Sequence, residues 1–231
     1  MFGAASAALA GSSSPEAQLV HGHLAAREGW FLFYLGQQTE AKQLLERSLA
    51  QLRGLGARAE LIFPLNYLGA VCSYLGDYAA TGVHCREALA LAEAEGDQNS
   101  SAIACNILGQ AAFAQGQPAE ARRWHHRSLA YEQQTGNQWS MAFSLMNLGK
   151  VAYALGEYDE ARRLYEQAMA TREAVGDIRG VALSLHSLGD TAVALNDAQA
   201  AAQRYAQSLA LFRQVGNQWG MAAALIELGG L

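Results

Sequence analysis

The sequence predicts an all-α fold, a solenoid of antiparallel helix pairs, on three observations. Alanine outnumbers Val, Ile and Thr together by 46 to 18, with only three prolines, so strong helix formers dominate over the β-branched residues that strands favour. Leu-Gly recurs at Leu68-Gly69, Leu108-Gly109, Leu148-Gly149, Leu188-Gly189 and Leu228-Gly229, a strict period of 40 residues. Each unit is also cut by breakers at Gly36, Gly76, Gly116, Gly156 and Asn196, and again at Gly56, Gly96, Gly136, Gly176 and Gly216. The segments between breakers carry an apolar pattern of period 3.6, so each unit is a pair of helices, each ended by a left-handed residue.

Residues 1–13 read as a leader or as the remnant of a preceding repeat, since Ala8-Leu9-Ala10 falls one period before Ser48-Leu49-Ala50. Ser14-Pro15-Glu16 is a helix start: Ser caps, Pro takes the first helical position, and the acid meets the positive end of the dipole. From there a single array runs in units of 14–57, 58–97, 98–137, 138–177 and 178–217, with a partial unit at 218–231. In a representative first helix Leu145, Leu148 and Ala152 share one face. The Gly of each Leu-Gly pair sits mid-helix, where it costs roughly 1 kcal/mol relative to Ala; close approach of a neighbouring helix is the expected compensation. In the second helices Ala121, Ala161 and Ala201 are followed by His125, Tyr165 and Tyr205, then by Ser128, Ala168 and Ser208, the small-and-large alternation that interdigitating helices require. Pro64 stands where the other units have Ala104, Ser144, Ser184 and Ala224. In a helix starting near Ala59 it lacks a needed amide and should kink or delay that helix.

The spacing of Leu148-Gly149, Gly156, Ala161, Tyr165 and Ala168 resembles the tetratricopeptide consensus. The resemblance implies a right-handed superhelix whose concave wall is lined by the first helix of each pair. Two departures are visible. The period exceeds the usual ~34 residues, and the consensus Pro of the second helix is replaced by Glu93, Gln133, Glu173 and Arg213, so that helix can run on to Gly96, Gly136, Gly176 and Gly216. Long repeats with phrases such as Ser208 to Ala222 resemble the C-terminal sensor arrays of bacterial signal-transduction ATPases and transcriptional regulators.

A net charge of −5, from 16 Lys and Arg against 21 Asp and Glu, leaves no basic field for nucleic acid or an anionic membrane. No run approaches the ~18 apolar residues of a spanning helix, and three cysteines without a CxxC pair fit a cytoplasmic location. No enzyme is expected, and neither cofactor nor metal. His21 and His23 lie two apart, His125 and His126 are adjacent with His125 in a packing slot, and Cys72 and Cys85 read as core. Phosphate-loop, dinucleotide and nucleophile-elbow motifs are missing.

One face of the first helices offers ladders instead: Asn66, Ala70, Ser73; Asn106, Gln110, Phe113; Met146, Lys150, Tyr153; His186, Asp190, Val193; and beside them Tyr67, Ile107, Asn147 and Ser187. Amides on such a face pair with an extended peptide backbone while aromatics stack on its side chains. The candidate partner-binding residues are Asn66, Tyr67, Asn106, Gln110, Phe113, Asn147, Lys150, Tyr153, His186 and Asp190, with Asn106 and Asn147 expected to point off the packed face. Only Lys150 and Arg27 are cationic there, which disfavours the family's clamp for C-terminal carboxylates. The expected function is a non-catalytic scaffold for a protein or peptide, the sensor or interaction segment of a larger bacterial regulator. The alternative is a small-molecule inducer sensor controlling an attached ATPase. The chain stops inside a first helix and reads as a fragment; Met221, Leu225 and Leu228, lacking cover, would favour self-association through the C-terminal helix.

Overall fold

Eleven α-helices follow one another in the computed structural model, which describes residues 14–231, so the leader or remnant read in residues 1–13 lies outside the described residues. They are α1 Pro15–Tyr34, α2 Gln38–Gly54, α3 Ile62–Tyr74, α4 Tyr78–Glu95, α5 Gln98–Ala114, α6 Pro118–Thr135, α7 Gln138–Ala154, α8 Tyr158–Ala174, α9 Ile178–Ala194, α10 Ala198–Gln214 and α11 Gln218–Gly230. The fold is all-α, with helices packed pairwise in sequence.

The junctions explain the boundaries. At Gly76, φ is 80°, its N–H donates to the Ser73 carbonyl, and the Asp77 N–H reaches back to that of Cys72, which closes the last turn with a left-handed residue. Asp77 then opens α4, its carboxylate accepting from the Ala80 N–H at 3.0 Å, because the first amides of a helix have no partner within it. Asp97, Asn137, Asp177, Asp197 and Asn217 cap their helices in the same way, and Ser14 accepts from Ala17. Asn196 (φ 60°) is the one non-glycine at positive φ among the described residues, as an asparagine replacing the sibling glycines should be.

Pro64 delays its helix. A 3₁₀ turn at Ala59–Leu61 precedes α3, which begins only at Ile62, so Pro64 falls in the first turn where its missing N–H has no role.

The chain falls into two compact units dividing between Gln117 and Pro118. In the first, α1 packs on α2 and α3 on α4, while α2 meets α3 and α4 meets α5. Leu45, Leu52, Leu65, Leu68, Val71, Cys72 and Cys85 are fully or almost fully buried there. In the second, each helix from α6 to α11 packs on the next, around Leu145, Ala161, Tyr165, Ala168 and Leu188. Serine hydroxyls at one repeat position tie the pairs together: Ser48 donates to the Gly22 carbonyl and Ser208 to that of Ala182. The expected bare end of α11 is only partly so. Leu228 packs against the cluster of Ala192, Ala201 and Tyr205, whereas Leu225 and Ile226 are 51% and 71% exposed. No helix among the described residues is long and apolar enough to cross a membrane.

The mid-helix glycines sit where the two helices of a pair come closest. A Cβ on Gly149 would run into the ring of Tyr165, one on Gly189 into Tyr205, and one on Gly69 into the Cys85 sulfur. Gly149→Ala should therefore lose roughly 1–3 kcal/mol despite alanine's better helix propensity, read from urea unfolding. Adding Tyr165→Leu should recover part of the loss; a stabilised single variant would contradict the packing.

Candidate functional site

The first-helix faces of the two units differ in chemistry. In the first unit, Tyr67 lies 4.4 Å from Phe63 and 5.5 Å from Trp30 between ring centroids, and the Arg27 guanidinium stacks 5.3 Å from the Phe63 ring. Burial raises the Tyr67 pKa, the Tyr34 phenol raises it further, and Arg27 opposes both. Trp30 and Phe63 were absent from the sequence-derived set; the available signal was the i, i+4 pair of Phe63 and Tyr67 on one helix face. Asn66, expected on an open wall, is instead buried; its Nδ2 donates to the Ser100 carbonyl at 3.1 Å, which ties α3 to α5, and its Oδ1 has no partner. Asn106 is likewise buried rather than turned off the packed face, whereas Gln110 and Phe113 are exposed.

The second unit concentrates polar groups. On α7, Asn147, Lys150 and Tyr153 succeed one another at three-residue steps along one face. Asn147 is only 7% exposed, again more buried than expected, and its Nδ2 has no hydrogen-bond partner. Lys150 has solvent along its side chain, yet burial lowers its pKa, and the nearby charge of Arg172 lowers it further. Arg172 itself is buried, donating to the Gly180 carbonyl and lying 4.0 Å from Asp177.

Carboxylates on two other helices act electrostatically on Tyr153. Asp190 on α9 and Glu227 on α11 both raise the pKa of Tyr153, after burial as the larger cause. Asp190 accepts the Tyr205 hydroxyl at 2.8 Å and lies 3.8 Å from His186 Nε2. The His186 ring stands 5.2 Å from that of Tyr205. Burial, the larger cause, and the Asp190 charge raise the pKa of both Tyr165 and Tyr205 well above the ordinary value, against which the Ser187 hydroxyl acts at Tyr165, so both phenols stay protonated. Sequence reasoning treated Tyr165 and Tyr205 as packing residues and missed their hydroxyls; the signal was tyrosine rather than phenylalanine in a core slot.

This arrangement supplies charges and hydrogen-bonding groups that can bind and orient a ligand. Among the described residues no cluster of His, Cys, Asp or Glu could hold a metal. Burial pushes the Cys85 thiol up to about 12, the opposite of an activated thiolate. A cleft of about 670 Å³ lies between α8 and α10, lined by Arg162, Glu166, Leu188, Ala192, Asp197 and Arg204; a smaller one of about 310 Å³ repeats it one period earlier at Arg122, His126, Leu148, Ala152, Glu157 and Leu164.

Residues 60–134 and 140–214 match the family model described as tetratricopeptide repeat. No curated protein matches the chain in sequence. Among solved structures the fold is similar to aspartyl phosphate phosphatase F from Bacillus subtilis (TM-score 0.80, 12% identity, 92% of this chain and 55% of that one). It is similar also to a Rap conjugation gene regulator of a plasmid in complex with the Phr* peptide (0.74, 13%, 93% and 60%). A third is the signal transduction ATPase with numerous domains from Pyrococcus horikoshii, a protein with a tetratricopeptide repeat sensor (0.70, 13%, 92% and 37%). The chain thus spans between 37% and 60% of the length of these three.

His125, at the packing slot held by Tyr165 and Tyr205 in later pairs, is buried, and its pKa is pushed down to about 4 by burial first and then by Lys150 and His126. The unfolded chain, with a histidine pKa near 6.5, takes up that proton first as the pH falls. The neutral ring's contribution is thus complete above about pH 6.5 and is lost toward pH 4, by roughly 3 kcal/mol in all. His84, also lowered by burial, adds in the same direction. His125→Tyr should reduce the fall in urea midpoint between pH 7 and pH 4.5; an unaltered fall would contradict the assignment.

Proposed function

The chain belongs to the tetratricopeptide repeat family, and from that premise we propose that it is a non-catalytic scaffold that binds an extended peptide or protein segment on its first-helix face. The carrying observation is Asn147: an amide more than nine-tenths buried whose Nδ2 has no partner. An unsatisfied buried donor is costly, and an extended backbone offers carbonyl acceptors at regular spacing. The neighbouring Lys150, Tyr153, His186 and Asp190 supply side-chain contacts around it, and Tyr67, Gln110 and Phe113 are the candidates from the first unit.

The peptide seen with the Rap regulator of similar fold supports a peptide ligand, and the sensor in the Pyrococcus horikoshii protein supports a sensor or interaction segment of a larger bacterial regulator. The unpaired amide favours a backbone over the small-molecule inducer. Free buried cysteines fit the cytoplasm as its location.

Selection from a displayed library of random twelve-residue peptides should enrich binders to the wild-type chain. Asn147→Ala should weaken a selected peptide by about 2- to 10-fold, the worth of one hydrogen bond, with the thermal midpoint held or raised because a buried unsatisfied donor is removed. Failure to enrich any peptide, or binding indifferent to Asn147, would overturn the reading.

A further inference from the structure

We infer that the face of the second unit reads charge along its ligand, seating an acidic group beside Asn147 and Lys150 and a basic group among Tyr153, Asp190, Tyr205 and Glu227. This rests on the peptide-binding reading above and names the chemistry of the peptide.

The two poles come from different helices. At the first, Lys150 projects from α7 one turn beyond Asn147, and the charge acting on its ammonium is that of Arg172, which has its own sign. Among the described residues no carboxylate lies in ion-pair range of Lys150, although Arg172 has Asp177. Lys150, exposed and without a counter-ion, offers a carboxylate a charge-assisted hydrogen bond, and the partnerless, buried Asn147 amide three residues before it becomes a second donor where its side chain turns toward the ligand. Binding an anion there also relieves the repulsion between Lys150 and Arg172.

At the second pole the signs reverse. Asp190 accepts the Tyr205 hydroxyl at 2.8 Å, and the charges of Asp190 on α9 and Glu227 on α11 both raise the pKa of Tyr153 and Tyr205. No Lys or Arg is ion-paired to either among the described residues; Asp190 has only the Tyr205 hydroxyl and the more distant His186 imidazole. Its side chain is 38% exposed, enough for a ligand to reach. The half-exposed Asp190 carboxylate, beside the Tyr205 hydroxyl and in a field made more negative by Glu227, is suited to an ammonium or guanidinium, which gains ionic hydrogen bonds there. Lys150 and Asp190 occupy equivalent positions one period apart, so an extended ligand crossing from α7 to α9 meets first one sign and then the other.

The test uses the full chain and the same displayed twelve-residue library. Enriched peptides should carry an acidic and a basic residue in a fixed order and spacing. In the best of them, made synthetically, exchanging the acidic residue for Gln or the basic one for Gln should each weaken binding by about 10-fold, while exchanges elsewhere do not. Lys150→Glu should select for a basic residue at the first position, and Asp190→Lys with Glu227→Lys for an acidic one at the second. The peptide exchanges on wild-type protein decide the matter even where a charge-reversed variant does not fold. Enrichment of peptides without paired charges, or exchanges that leave affinity unchanged, would overturn the inference while the peptide-binding reading stands. No enrichment at all would overturn both.

Discussion

Close approach of the two helices within a pair is the contact on which the rest depends. At Gly29, Gly69, Gly149 and Gly189 the absent Cβ is replaced by a side chain from the partner helix: Leu45, Cys85, Tyr165 and Tyr205 respectively. A mid-helix glycine weakens its own helix, and the filled space returns that loss as dispersion contacts and buried area. The interaction works as a socket of constant shape whose occupant varies. That constancy lets one backbone repeat at 40-residue intervals while its chemistry drifts from pair to pair.

The variation in occupant links stability to binding. A leucine or cysteine in the socket ends inside the core, but a tyrosine is long enough for its hydroxyl to leave on the far side. Tyr205 delivers that hydroxyl to Asp190, while the Tyr165 oxygen is met by the Ser187 hydroxyl as donor. Both phenols are held protonated by burial and by neighbouring negative charge, so Tyr205 orients Asp190 as a donor and neither ring competes as an anion. The rigid packing that stabilises the second unit is therefore also what positions its polar face.

Two asparagines show where reading the face from the sequence succeeded and where it did not. Asn66 and Asn147 both fall on the ladder face by helical period, and both are buried. Asn66 reaches a carbonyl of the neighbouring pair and becomes part of the packing, while Asn147, one register position later, finds none for its Nδ2. Helical period assigns a direction from the axis. It does not say how near the next helix comes along that direction, and a few ångströms separate a donor that finds an acceptor from one that does not.

What the sequence determined by itself was everything set within one helix and its two ends. Gly36, Gly76 and their siblings end helices because a left-handed residue is needed there, Asp77, Asp97 and Asn137 start them because free amides need an acceptor, and Pro64 postpones α3 because proline has no amide to give. These are local requirements with local signatures, repeated often enough to be unmistakable. Only the tertiary structure decided that Trp30, Phe63 and Tyr67 meet, that Leu228 is covered by Ala192, Ala201 and Tyr205, and that the charges of Asp190 and Glu227, from separate helices, both act on Tyr153. Those relations join residues up to 74 positions apart, and they depend on how each pair is rotated and translated against the next. That is fixed by the summed shape of many side chains, which no short pattern in the chain encodes.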